Sequence, residues 1–321
     1  TQTARLFTAE KPLTLASGAT VGPVDVAYET YGTLAPDRSN VIYICHALTG
    51  DAHAAGWHEG DRRPGWWDNL IGPGRPLDTD RFFIVSSNIL GGCRGTTGPG
   101  STNPATGEAY GMEFPLLDMA DFVTVHRALL AHLGIPHLLI ALGGSLGGMQ
   151  VLEWSLTYPH DMSHAVIIAA SSRLTAQNIA FSAVARAAIL EDPDFHGGRY
   201  AEHGVTPRHG LKVARMMAHT HHEVGVEIVL VLGANHAHGI GLVARVAMPP
   251  DHEAGAIQRP RKSILQMVSK PSVIKLPLDK LPLWKGIAPI GQPLAIIHKK
   301  LLRNAVRVRT QGWQHAINVL V

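Results

Sequence analysis

Cysteine is nearly missing from this 321-residue chain, which has only Cys45 and Cys93. Two thiols build no disulfide framework, so reduced cysteines in a cytosolic protein are expected. Long apolar runs are also missing: no stretch reaches the roughly 18 residues needed to span a bilayer. Thr1 to Leu15 is polar and broken by Pro12, unlike a secretory leader. Charge of one sign is not in excess. The 28 Lys and Arg against 25 Asp and Glu leave +3, which points to no particular partner. Histidine is plentiful at 19, yet H-E-x-x-H and Cys/His ligand spacings do not occur, so scattered loop and surface histidines and no metal are expected. Internal repeats and low-complexity segments are missing too. What is present, 45% hydrophobic and 17% charged residues, fits a globular protein with a sizeable core. The length suits one large α/β domain with an insertion, or two domains.

One stretch organises the rest. Leu138 to Leu142 is an apolar β-type run that stops at Gly143-Gly144, presents Ser145, and passes Gly147-Gly148 into a helical pattern from Met149 to Leu156. Gly143-x-Ser145-x-Gly147 has the form of a nucleophile elbow, in which a serine sits at a sharp strand-to-helix turn. Glycine is demanded on either side because side chains there collide where strand and helix approach. The backbone N–H after the serine, that of Leu146, is then a candidate oxyanion donor.

Other segments supply the frame. Pro12–Leu15 and Val24–Thr30 read as a short antiparallel pair turning at Ser17-Gly18. Asn40–Cys45 and Arg81–Ser86 read as strands buried on both faces. The first runs into His46-Ala47-Leu48-Thr49-Gly50, the loop that in hydrolase-like sheets carries the second oxyanion donor, with Leu48 the candidate. The loop 51–76 holds Trp57, Trp66 and Trp67 and reads as folding back along a site entrance. Leu90–Pro99 is glycine-rich but lacks G-x-x-x-x-G-K-[ST], so chain reversal beside the site is expected rather than phosphate binding. Helices are expected over Phe114–Leu133, Ala176–Leu190 and Pro207–His219, and a further strand over Ala165–Ala170. The alternation predicts a mostly parallel sheet with helices on both faces.

Together these segments resemble the homoserine O-acyltransferase family, its acetyltransferases above all. The resemblance is carried by His46-Ala47-Leu48-Thr49-Gly50-Asp51, Ser87-Asn88, Gly91 to Pro99, Asn103-Pro104 and Tyr110 to Pro115. It continues through Gly143 to Gln150, Ala176 to Ala180 and Ala214-Arg215-Met216, so it spans the chain to about residue 219. It implies an α/β-hydrolase fold, with a core over 1–173 and the start of a helical lid over 174–219. It also implies cytoplasmic methionine biosynthesis by ping-pong chemistry, with no bound cofactor. Ser145 takes an acetyl group from acetyl-CoA and passes it to the hydroxyl of L-homoserine. Arg215 falls on the substrate-binding arginine, a type suited to gripping a carboxylate through two parallel hydrogen bonds. A homodimer built through the lid is implied as well. Succinyl-CoA as donor, serine as acceptor, and an esterase using water all remain open at this level.

The pattern stops near residue 219. Residues 1–219 hold 15 Lys and Arg against 20 Asp and Glu; residues 220–321 hold 13 against 5. All six tyrosines and all seven phenylalanines lie before residue 220. The family's strand-end aspartate and late histidine do not appear in the tail. His236, His238, His298 and His315 have other surroundings, so the triad Asp and His stay unassigned. The tail 220–321 therefore reads as out of frame, poorly packed and leaving part of the apolar core uncovered. A catalytically impaired remnant of the family is the reading from a different class. Val226–Gly233 has strand character, and Lys299–Arg309 is basic and helix-like. The near absence of interleaved aromatics argues against nucleic-acid binding.

Overall fold

The computed structural model describes residues 1–172, 174, 176–220, 227–232 and 241–247. The segments Gly255–Pro293 and Lys299–Arg309, and the four tail histidines, lie outside the described residues. In chain order the strands are β1 (Gln2–Phe7), β2 (Leu13–Thr14), β3 (Thr20–Val21), β4 (Val24–Tyr31), β5 (Val41–Cys45) and β6 (Phe83–Ser87). Then come α1 (Met119–His132), β7 (Leu138–Gly144), α2 (Leu146–Thr157), β8 (Met162–Ile168), α3 (Ala176–Leu190), α4 (Arg208–Thr220), β9 (Glu227–Leu232) and β10 (Gly241–Ala247).

Eight strands form one sheet in the order β1-β4-β6-β5-β7-β8-β9-β10, and β2-β3 is a separate pair. The centre, β6-β5-β7-β8, is parallel; β1 and β4 on one side, and β9 and β10 on the other, run antiparallel to their neighbours. β5 sits in the middle and is buried at every position, as an apolar strand covered on both faces must be. Side chains alternate across the sheet. Val41, Tyr43, Cys45, Val85, Ala141 and Ile167 join one core cluster with Phe122 and Leu129 of α1 and Val151 and Trp154 of α2. The alternate set, Ile42, Ile44, Ile84, Ile140, Leu142 and Val166, is also buried, so the expected bare patch on the core is not found at these positions.

Two expectations change. Val24–Tyr31 does not close a hairpin with Pro12–Leu15: Leu13–Thr14 pairs with Thr20–Val21, while β4 pairs with β1, a strand the sequence reading passed over. Gln2–Phe7 alternates only weakly, with a single fully buried residue, Ala4, because it lies at the sheet's edge. The helix expected from Phe114 begins at Met119 instead. Phe114 precedes Pro115 and stays extended at ψ 128°, as residues before proline do. Asp118 then opens the helix, its N–H donating to Asp121 Oδ2 at 2.7 Å.

Candidate active site

The parallel pairing sets the site. Cys45 pairs with Gly143, so the loop leaving β5 and the turn leaving β7 emerge side by side at the same end of the sheet. At that turn Ser145 has φ 55° and ψ −120°, a conformation that costs a non-glycine residue roughly 1–3 kcal/mol. Its N–H donates to the Ile168 carbonyl (2.9 Å) and its carbonyl accepts from Met149 N–H (3.0 Å), so neighbours on both sides hold the strained residue. The Ser145 hydroxyl makes no capping hydrogen bond to α2. A Cβ at Gly143 would strike the Gly147 carbonyl, and one at Gly147 would strike the Cys45 and His46 carbonyls. That is the steric reason for the glycines anticipated from the sequence.

Leu146, a buried residue, opens α2, where the first N–H groups have no partner within the helix and carry its positive end. Leu48 is half-buried against the core, and the turn around it is closed by Gly50 N–H donating to the Ala47 carbonyl at 2.8 Å. Two strand ends thus bring Ser145, Leu146 and the Leu48 loop into one neighbourhood.

Below lies a buried polar chain that the sequence reading missed. His46 Nε2 accepts from Ile89 N–H (3.1 Å), which leaves its Nδ1–H to donate to the Ala47 carbonyl (2.7 Å). The Gln150 amide group donates to the Leu146 carbonyl (3.2 Å), and its Oε1 accepts from His126 Nε2–H (2.8 Å). His126 Nδ1 accepts from Tyr43 Oη (2.9 Å), whose oxygen lies 2.5 Å from Ser87 Oγ. Gln150 Nε2 also donates to the His46 carbonyl (3.4 Å), so this chain reaches both the start of the Leu48 loop and the first turn after Ser145. Burial pushes the His126 pKa down to about 4, and burial lowers that of His46 too. Both imidazoles are neutral at pH 7. Burial likewise raises the pKa of the Cys45 thiol, which makes it inert as a nucleophile.

Four of the described histidines are already engaged elsewhere. His46 and His126 have both ring nitrogens engaged, His137 bonds the His160 carbonyl and Ser163, and His164 bonds the Leu139 carbonyl. Arg215 stands exposed on α4 beside buried Ala214, which packs with Ile189 and Phe195. A cavity of about 340 Å³ is not lined by the serine. It lies between the 92–100 loop and residues 195–201, with exposed Cys93 in its lining. The 90–99 loop reverses the chain as expected, Gly91 N–H donating to the Thr97 carbonyl at 2.8 Å. Trp66 and Trp67 pack together at 4.8 Å between ring centroids, but Trp57 is 63% exposed.

A serine at a strained strand-to-helix turn, on a parallel sheet core with a second strand-end loop beside it, defines the class: an α/β-hydrolase fold. Residues 40–269 match the alpha/beta hydrolase fold family, and the chain belongs to that family. Over 219 residues it is 61% identical to a protein named homoserine O-succinyltransferase from Nocardioides sp. strain JS614, covering 68% of this chain and 59% of that one. The crystal structure of a homoserine O-acetyltransferase from Bacillus anthracis matches with a TM-score of 0.64 at 28% identity, over 99% of this chain and 74% of that one. Esterase E22 matches with a TM-score of 0.61 at 35% identity, over 68% and 60%. The chain spans about three-fifths of the length of the curated relative.

Proposed function

We propose that this chain derives from, and carries the acyl-accepting site of, an acyltransferase that moves an acyl group from acyl-CoA to the side-chain hydroxyl of L-homoserine. Ser145 Oγ attacks the thioester carbonyl, and the N–H groups of Leu146 and Leu48 hold the oxyanion as CoA leaves. The homoserine hydroxyl then attacks the Ser145 ester and regenerates the free serine. Arg215 holds the homoserine carboxylate. The observation that carries this reading is the strained Ser145, locked between close-packed glycines beside the Leu48 loop. Relatives named for both acetyl and succinyl transfer support the reaction class.

Serine also needs a base to take its proton. A chain lacking one retains only the contribution of the oxyanion hole and binding, about 10³–10⁴-fold over water. The reading is tested by incubating the full chain with L-homoserine and either acetyl-CoA or succinyl-CoA, following free CoA and O-acylhomoserine. Product that depends on both substrates, and is lost in Ser145→Ala, is the expected result; the preferred CoA ester identifies the donor. Release of CoA without acylhomoserine favours hydrolysis, a second reading supported by the similarity to esterase E22. A homodimer through α3 and α4 fits the exposed Ile179, Val184, Val213 and Met216 on those helices. A monomeric elution on gel filtration would contradict it.

A further inference from the structure

Away from Ser145, the edge of the sheet holds a cluster that this chemistry does not use. Glu29 of β4 is 6% exposed, and its carboxylate meets two imidazoles. Oε2 lies 3.1 Å from His53 Nδ1 and Oε1 lies 3.2 Å from His58 Nε2. One ligand atom from each residue lies within 4.8 Å of the other two. The two imidazole rings are 4.0 Å apart between centroids. The far nitrogen of His53 is buried and makes no hydrogen bond among the described residues, although Asp61 Oδ2 stands 3.2 Å away.

The surroundings are built to hold these groups. Tyr31 Oη donates to Glu29 Oε2 at 2.6 Å and accepts from the N–H groups of Ala54 and Ala55 at 2.9 and 3.1 Å. Thr1 Oγ1 donates to Glu29 Oε1 at 2.6 Å. The backbone N–H groups of His53 and His58 donate to the Asp51 and Asp61 carboxylates, so the loop's own acidic side chains fix both histidines. Burial opposes the Glu29 carboxylate, but hydrogen bonds from Thr1, Tyr31 and His53 outweigh it and keep its pKa below the ordinary value. An open cavity of about 330 Å³, lined by Glu29, Tyr31, Ala55, Gly56, Trp57 and His58, gives access from solvent.

We propose that Glu29, His53 and His58 bind one borderline divalent cation of the Zn²⁺ class, with Asp61 orienting His53. Two imidazole nitrogens and a carboxylate are a ligand set for such ions, and water completes the coordination. Asp61 beside the non-ligating nitrogen supplies the outer carboxylate that fixes the tautomer of a metal-binding histidine. The His53-x4-His58 spacing also falls within the three-to-five-residue separation common in zinc sites. The bound ion ties the 51–68 loop to β4, a structural role separate from acyl transfer.

The test uses the full chain, stripped with a chelator and titrated with Zn²⁺ by calorimetry, beside His58→Ala and Asp61→Asn. Other histidines bind zinc equally in all three proteins, so the difference between them is the readout. The expected result is one more equivalent bound by the unaltered chain than by His58→Ala. Asp61→Asn should keep that equivalent with an affinity about 10–100-fold weaker. Co²⁺ should give visible absorption bands that His58→Ala lacks. His58 is partly exposed and Asp61 lies in the loop, so at least one variant should fold as the unaltered chain does. Equal stoichiometry and affinity in the unaltered chain and the variants, or no Zn²⁺ uptake by the unaltered chain, would overturn the proposal.

Discussion

The glycines flanking Ser145 are not interchangeable, and the geometry says which one tolerates a methyl group. At Gly147 an added Cβ runs into the Cys45 and His46 carbonyls, backbone atoms at and just beyond the end of the central strand that cannot swing aside. At Gly144 the nearest atom is the Ile168 carbonyl at 4.0 Å. Gly147→Ala should therefore cost about 1–3 kcal/mol and displace the Leu48 loop, whereas Gly144→Ala should stay within about 0.5 kcal/mol. Urea denaturation of the two variants measures this, and equal midpoints would contradict it. Arg215 is a different kind of residue. It stands exposed on α4, and its proposed part is to grip the homoserine carboxylate. Arg215→Ala should raise the KM for homoserine by about 10–100-fold, the equivalent of one charge-assisted hydrogen-bond pair. It should leave acylation of Ser145 by acyl-CoA unchanged. A loss of acylation instead would mean that Arg215 serves the donor or the fold.

The elements carry a pH dependence of their own. His126 on α1 joins Tyr43 of β5 to Gln150 of α2, and burial holds its pKa near 4 against an ordinary value of 6.5. A histidine whose pKa falls on folding stabilises the fold above 6.5 and loses that contribution as the pH drops towards 4. The loss is on the order of 3 kcal/mol over that window. Urea midpoints at pH 7 and pH 5 should differ more for the unaltered chain than for His126→Asn, and equal differences would remove His126 from the account. Nothing in the sequence marks this network, because its members lie far apart along the chain and each looks like an ordinary core or helix residue. The elements themselves were far more legible. β5, β6, β7 and α3 sit within two residues of where apolar runs and helical spacing put them, because buried strands and amphipathic helices write their period into the chain. β1 was missed because an edge strand has one weakly buried face. The start of α1 was misjudged because Pro115 overrides the apolar period that runs through it. For the site, Gly143-x-Ser145-x-Gly147 was readable because sterics force glycine there. The Glu29, His53 and His58 cluster was not, since it depends on β4 meeting a loop 24 residues further on.

At the scale of the whole molecule, the chain divides by composition where its family resemblance stops. The match to the succinyltransferase relative covers 68% of this chain, and charge and aromatic usage change after residue 219. If the tail is out of frame, another frame of the coding DNA downstream of codon 219 should encode a helix, then a strand-end aspartate and a late histidine. Resequencing across that point and translating the three frames checks this, and an uninterrupted open frame with nothing encoded in the others would contradict it. The central claim, that Ser145 is an acyl-accepting nucleophile, has a more direct test: intact-mass measurement of the purified full chain after incubation with acetyl-CoA or succinyl-CoA without homoserine. The account predicts one acyl group per chain, mapped to Ser145 by peptide analysis, absent in Ser145→Ala and discharged by L-homoserine. A chain that stays unmodified with both donors, or is acylated equally well without Ser145, would contradict it.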